Sequence, residues 1–418
     1  MINNQLHKHL NFLTKTIGTR PKGSKANTEA AKYIEEHFIK CGLTITKQNF
    51  PSIKWDAKKT NLIIKNKTLP AVANGFCPSC NIHAPFVAVC NITQLEDTDF
   101  SGRILVLYGD LTKQELESKI TDNPIYFPEL SRKIYAAIEK TPPIALMMIH
   151  HDEKITALHN DLNLNIPSIT VPATTGKEIL ACDDKTKLKL SVVSNKSKAI
   201  SSNIIGYLKG ETPEKIVLCS HFDTKFYSPG AFDNGSGMSV LLTLAEILTK
   251  QQWKYSFEFL ALNGEEFVGL TRGSDVYLKN LGLDLQPFSI GMKIKEAPQF
   301  KDIIVAFNFD RLGLFTETSL IGTTQSSNNL KKIITKHISD YPEISQKNAT
   351  PIGNHYTFLY HGVPCIHCTS HDNIKISHTT QDTTNWINNK KLSNMTQLCV
   401  DIINNLMQIE PNTLRKSY

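Results

Sequence analysis

Residues 215–248 read KIVLCSHFDTKFYSPGAFDNGSGMSVLLTLAEIL. An apolar run, KIVLC, is followed by a polar, glycine-bearing loop and then by Leu241, Leu244, Ala245 and Leu248, which recur at helical spacing. That order predicts a buried strand, a loop, and a helix with an apolar stripe toward the core. The loop holds one histidine, His221, and two aspartates, Asp223 and Asp233, on the carboxyl side of the strand. Loops on that side of an open α/β sheet converge on one crevice, where ligands bind.

The same arrangement recurs downstream. YSFEFLALNG leads to Glu265 and Glu266, DIIVAFNF ends at Asp310, and VPCIHCTS runs into the loop that carries His378. Four strand ends therefore aim imidazoles and carboxylates at one place. Upstream, residues 24–41 repeat apolar positions at helical spacing (Ala31, Ile34, Phe38) and stop at Gly42, which predicts an amphipathic helix, with a strand after it. From about residue 60 to 199 the texture changes to short alternating runs such as NLIIK, FVAVC, GRILVLYGD, PIALMMIHH and SITVPATTG. Those runs predict a small β-rich module inserted into a split α/β domain.

Composition narrows the function classes. The 418 residues are 40% apolar and 20% charged, enough for a large core and two domains. The formal charge of +7 is spread along the chain, with no block of like charges that would mark a nucleic-acid arm. No apolar run reaches the length of a membrane helix. The opening MINNQLHKHLNFLTKTIG has polar and apolar residues at helical spacing rather than a secretory leader, so a cytoplasmic location is expected. The expected partner is a peptide substrate, with neither nucleic acid nor membrane; oligomeric state is left open. Nine scattered cysteines do not resemble a disulfide framework. Cys365 and Cys368 fall on one strand, pointing to opposite faces, whereas Cys77 and Cys80 sit in a turn that allows a disulfide or a metal.

Carboxylates and histidines gathered in one crevice need a cation to offset them, and imidazole with carboxylate suits zinc. Asp223 lies two residues past His221, so on an extended segment it shares a face and can accept the other ring N–H. The glycines and Asn234 of GAFDNGSG allow an unusual turn that presents Asp233, whose two oxygens can bridge two metals. Glu265 and Glu266 are neighbours and cannot both point at one ion. The natural division is one ligand and one general base acting on a metal-bound water whose pKa falls from about 15.7 to about 7. Taken singly these residues have plainer readings: a phosphate-cradling loop for AFDNGSG, a solvated helix start for the two glutamates. His150, His151, His361, His367 and His371 read as ordinary satisfied histidines.

Together, SHFDT, GAFDNGSGMSVLLTLA, LALNGEEFVGLTRGS, FNFDRLG, GNHYTFLYHGVPCI and SHTTQDT resemble, in order, the di-zinc metallopeptidases related to aminopeptidase Y and glutamate carboxypeptidase. That family also includes glutaminyl cyclase and the non-enzymatic transferrin receptor. The resemblance implies a mixed, mainly parallel sheet flanked by helices, a split catalytic domain (1–58 and 200–418) and an inserted protease-associated domain (59–199). It implies two Zn²⁺, one held by His221 and Asp310, the other by Glu266 and His378, with Asp233 bridging. Glu265 becomes the general base and Asp223 the partner that orients His221. A cis peptide bond is implied between Asp233 and Asn234.

Two departures from the family pattern stand out. Ser377 replaces a tyrosine that often precedes the last histidine, which shifts oxyanion stabilisation to the metal, His355 or Tyr356. Gly353, Asn354 and His355 replace a frequent Ser-Asp-His. The implied function is a zinc-dependent exopeptidase, foremost an aminopeptidase. A carboxypeptidase or dipeptidase is the alternative and needs a cationic pocket, for which Arg311 is the candidate. A receptor-like homologue predicts lost ligands, whereas all five positions are filled.

Overall fold

The computed structural model describes residues 2–119, 127–153, 156–183, 185–267, 271–283, 297–348 and 353–415. Contacts divide the chain into two units. The first comprises Met1–Pro51, Ile200–Glu266 and Leu270–Tyr418, the second Ser52–Ala199 with Phe267–Gly269. Thr44–Ile64 is one uninterrupted strand, so no loop marks the first crossing.

The first unit is built on strands β1 (Lys187–Leu208, of which the part from Ile200 belongs to this unit), β2 (Lys215–His221), β3 (Ser256–Leu262), β4 (Ile303–Phe309), β5 (Ser319–Thr324), β6 (Ile344–Asn348) and β7 (Cys365–Ser370). They lie in the order β6-β5-β7-β4-β2-β3-β1. The pairs β2/β3, β2/β4, β4/β7 and β5/β6 are parallel, while β5/β7 and β1/β3 are antiparallel. This is the mixed, mainly parallel sheet implied by the resemblance. Registers align the functional ends: Leu262 pairs with His221, and Phe309 with Cys368. β3 and β4 are buried along their whole length, as near-continuous apolar strands covered on both faces must be.

Helix α1 (Ile2–Asn11) opens the chain, and α2 (Lys25–Lys40) follows with Ser24 as its N-cap, accepting from the Asn27 N–H. Ala31, Ile34 and Phe38 of α2 enter the core, and Gly42 follows in the left-handed region (φ 82°). Helix α3 (Ser236–Leu248) departs from the expected single stripe: every residue from Ser236 to Ala245 is buried. The sheet covers one side, while α1 and a C-terminal helix, α4 (Asn389–Leu406), pack on the other. Helical periodicity alone cannot register that second cover.

The second unit has four parallel strands, Cys80–Val89, Ile104–Leu107, Ala145–Ile149 and Ser168–Val171, with Val72–Ala73 antiparallel at the edge. Helices Ile92–Asp97, Glu129–Lys140 and Ala173–Leu180 accompany them, so SITVPATTG divides into a strand and a helix. Its core gathers Phe100, Leu105, Leu107, Ile134, Leu146 and Met148. All nine cysteines are free thiols, Cys77 and Cys80 included. Among the described residues, no helix is long and apolar enough to cross a membrane.

Candidate metal centre

His221 ends β2, Glu265 and Glu266 follow β3, Asp310 follows β4, and His378 lies in the loop beyond β7. Asp233 stands just before α3. The glycine after it explains how α3 can begin there: a Cβ on Gly237 would lie 2.3 Å from the Phe309 carbonyl oxygen. Only glycine lets the helix start against the end of β4, which sets Asp233 beside Asp310. Gly230 opens the turn at φ 61°, and the Asp233–Asn234 peptide bond is cis.

The donors form two groups that share Asp233. His221 Nε2 lies 3.4 Å from Asp233 Oδ1 and 3.6 Å from Asp310 Oδ1. His378 Nε2 lies 3.3 Å from Asp233 Oδ2 and 3.1 Å from Glu266 Oε2. Ligand atoms about 2.0 to 2.2 Å from a tetrahedral ion stand about 3.3 to 3.6 Å apart, so each group has the span of one such ion. Both sets are close enough to hold a cation: His221, Asp233 and Asp310 in one, Asp233, Glu266 and His378 in the other. Glu266 Oε1 and Asp310 Oδ1 are moreover buried without a hydrogen-bond partner among the described residues. Buried carboxylate oxygens left bare are costly, and a divalent cation is the group that would satisfy them. The residues therefore fit a pair of metal ions.

Glu265 stands outside both groups. Its Oε2 is 3.9 Å from His221 Nε2 and its side chain is 29% exposed, so solvent and substrate can reach it. Burial, with the neighbouring Glu266, Asp310 and Asp233 carboxylates, pushes its carboxyl up to about 7 against the opposing pull of His221. Burial would raise the Asp233 carboxyl too, but His221 and His378 hold it well below the usual range. The His221 imidazole is pushed well above its ordinary value: burial opposes the charge, yet Asp223, Asp233 and Asp310 outweigh it.

Asp223 lies 3.6 Å from His221 Nδ1 and also accepts from the Glu265 and Glu266 N–H groups, each at 3.2 Å. One carboxylate thus ties the end of β2 to the segment after β3, beyond the orienting role read from sequence. Two further residues, Asp382 and Arg20, have no role in that reading, and Asn234, read there as part of the turn, gains partners. Asp382, in the SHTTQDT motif, accepts from Phe232 N–H at 2.6 Å and Asp233 N–H at 3.0 Å. Asn234 donates to Ser220 Oγ and the Phe309 carbonyl, and its own amide oxygen accepts from Gly237 and Arg311 N–H.

Arg20, fully buried, donates to the carbonyls of Phe222, Leu13, Gly18, Pro229 and Gly230. Burial lowers its guanidinium to about 10, which leaves it charged at neutral pH. Replacing Arg20 with alanine strands those carbonyls and is expected to destabilise the protein by about 3 kcal/mol or more in urea unfolding. A change below about 0.5 kcal/mol would show that the loop holds itself.

His355 is fully buried, stacked on His367 with centroids 4.5 Å apart, and its Nδ1 is 3.4 Å from Asn308 Nδ2. Tyr356 begins the short helical turn Tyr356–Leu359 and packs on Tyr360. Ser377 Oγ, where the family often has tyrosine, is buried with no hydrogen-bond partner. Residues 268–270 of the NGEEFVGLTRGS motif lie outside the described residues.

Comparison with known proteins agrees with this architecture. The curated Aminopeptidase YwaD of Bacillus subtilis is 29% identical over 279 residues, covering 64% of this chain and 56% of its own. A probable leucine aminopeptidase 2 of Aspergillus oryzae is 23% identical over 273 residues, 62% and 51%. The chain thus spans about half the length of the curated relatives it matches. Among solved structures, BSAP, a zinc aminopeptidase from Bacillus subtilis, superposes with a TM-score of 0.74 at 18% identity, covering 99% of this chain and 98% of its own. A Peptidase M28 precursor from Shewanella amazonensis gives 0.74 at 17%, covering 100% and 98%. These two share the fold. Residues 203–403, which hold every candidate ligand, match the family described as Peptidase family M28.

Proposed function

We propose that this protein is a zinc-dependent aminopeptidase that removes amino-terminal residues from peptides, with two zinc ions bridged by Asp233. The observation that carries the proposal is the division of Asp233, Oδ1 toward His221 and Asp310, Oδ2 toward Glu266 and His378. The aminopeptidase names of the sequence relatives support the substrate class.

When bound, such ions, which His221, Asp233, Asp310, Glu266 and His378 would hold, would acidify a water and polarise the scissile carbonyl. Glu265 takes the water's proton at Oε2 as the oxygen adds to the carbonyl carbon. It then delivers that proton to the amine nitrogen as the C–N bond breaks. Asp223 holds the His221 ring and, through two N–H bonds, the backbone of Glu265 and Glu266, so base and ligands keep their separation. We read the inserted unit as a protease-associated domain, supported by its short strands and its place along the sequence, between the two segments of the first unit.

A panel of aminoacyl-nitroanilides, beside peptides blocked at the amino or the carboxyl end, tests the proposal. Hydrolysis is expected only with a free amino terminus, to be lost on chelation and restored by zinc. Cleavage of amino-blocked peptides at equal rates would reject aminopeptidase action in favour of a carboxypeptidase.

A further inference from the structure

Beside the metal centre lies a cavity of about 250 Å³, lined by Arg311, Lys347, His367, Ser370, His371 and Asp372. It adjoins the centre through two chain links: Arg311 directly follows Asp310, and Asp372 begins the loop to His378. Among the described residues no hydrogen bond reaches the Arg311 guanidinium, but it is not isolated: burial opposes its charge, and the Asp310, Asp233, Glu265 and Asp372 carboxylates outweigh that burial, while its backbone N–H is engaged by Asn234. Lys347 Nζ lies 2.5 Å from His371 Nε2, so the ammonium donates there and keeps its other N–H bonds.

Two more groups wait for partners. From sequence, His367 counts as an ordinary satisfied histidine; in the structure its Nε2 is buried and has no hydrogen-bond partner among the described residues, and the same holds for Ser370 Oγ. These residues are 3% and 6% exposed, respectively. Buried polar atoms rarely stay bare unless a water or ligand meets them. Asp372, the carboxylate in the lining, is already engaged, its oxygens accepting from Ile376 N–H at 3.0 Å and Ser377 N–H at 3.2 Å. Beside the apolar Leu320 and Ile321 of its wall, the cavity therefore offers two cations and two unsatisfied polar side chains, which suit a carboxylate better than an ammonium.

We propose that this cavity is a carboxylate subsite for the residue on the leaving side of the scissile bond. Its place in a reaction rests on the aminopeptidase reading; its affinity for carboxylates does not. The carboxylate is either the free carboxyl terminus of a dipeptide or an acidic side chain next to the scissile bond.

The test compares kcat/KM of the zinc-loaded protein for leucylglycine, leucylglycine amide and leucylglutamic acid α-amide. At least one carboxylate-bearing substrate is expected to exceed leucylglycine amide by about tenfold, equivalent to about 1.4 kcal/mol. In Arg311→Met that ratio is expected to fall toward one, whatever the absolute rates. Preference for leucylglycine assigns the carboxyl terminus, and preference for the glutamyl amide assigns the side chain. Equal rates for all three would overturn the subsite.

Calorimetry with N-acetylglycine and its amide gives a readout free of catalysis. The acid, not the amide, is expected to bind both zinc-loaded and chelated protein, and Arg311→Met to abolish the difference. Lys347→Met serves the same purpose should Arg311→Met fail to fold. Binding of the acid without hydrolysis of any peptide would reject the aminopeptidase reading and keep the subsite. Hydrolysis with neither acid preference nor acid binding would reject the subsite alone.

Discussion

Replacing Glu265 with glutamine is expected to lower kcat for peptide hydrolysis about 10²- to 10⁴-fold while leaving bound zinc per chain unchanged. Glutamine keeps the shape and loses the ability to take a proton. Metal retention follows from geometry: Glu265 belongs to neither group of clustered donors, and its nearest approach to His221 is 3.9 Å. Steady-state kinetics with metal analysis on the same preparation decides the matter. Full activity in Glu265→Gln would sink the assignment, and loss of metal would make Glu265 a ligand instead.

Asp233→Ala is expected to have the larger effect, because one side chain serves both donor groups. Zinc bound per chain falls, and hydrolysis drops further than in Glu265→Gln. Folding of the metal-free chain should survive, since Asp382 is bonded to the Phe232 and Asp233 backbone N–H groups rather than to the lost carboxylate. The metal-free state loses only the pairing of Asp233 with His221 and His378, which Asp310 and Glu266 still face. A thermal melt separates the two contributions. Wild type gains about 2.7 kcal/mol at free zinc 100-fold above its Kd, whereas the variant gains little. A variant that keeps full zinc content and the full shift would show that Asp233 does not bridge.

Much of the fold and of the centre was legible before any coordinates. KIVLCSH, SFEFLAL and IIVAFNF are apolar runs whose neighbours in sequence are His221, Glu265, Glu266 and Asp310. Strand ends and their residues are adjacent along the chain, so local pattern carries both. His378 is different: it lies in a loop eight residues past β7 that has no periodicity, so the strand pattern indicates the loop and the family resemblance gives the residue its role. Helix α3 was recognised by its spacing but not its burial, because its second cover comes from the two ends of the chain.

What the sequence by itself determined is the α/β character of the chain and the kinds of donor delivered to one sheet edge, since both follow from short-range periodicity and residue chemistry. What only the tertiary structure decided is which groups complete one another across the chain. Arg20 meets carbonyls of residues 222, 229 and 230, Asp382 meets Phe232 and Asp233, and Asp223 meets Glu265 and Glu266. The bare atoms of His367 and Ser370 belong to the same class. Whether a polar atom finds a partner depends on what packs beside it after collapse, and no local pattern encodes that.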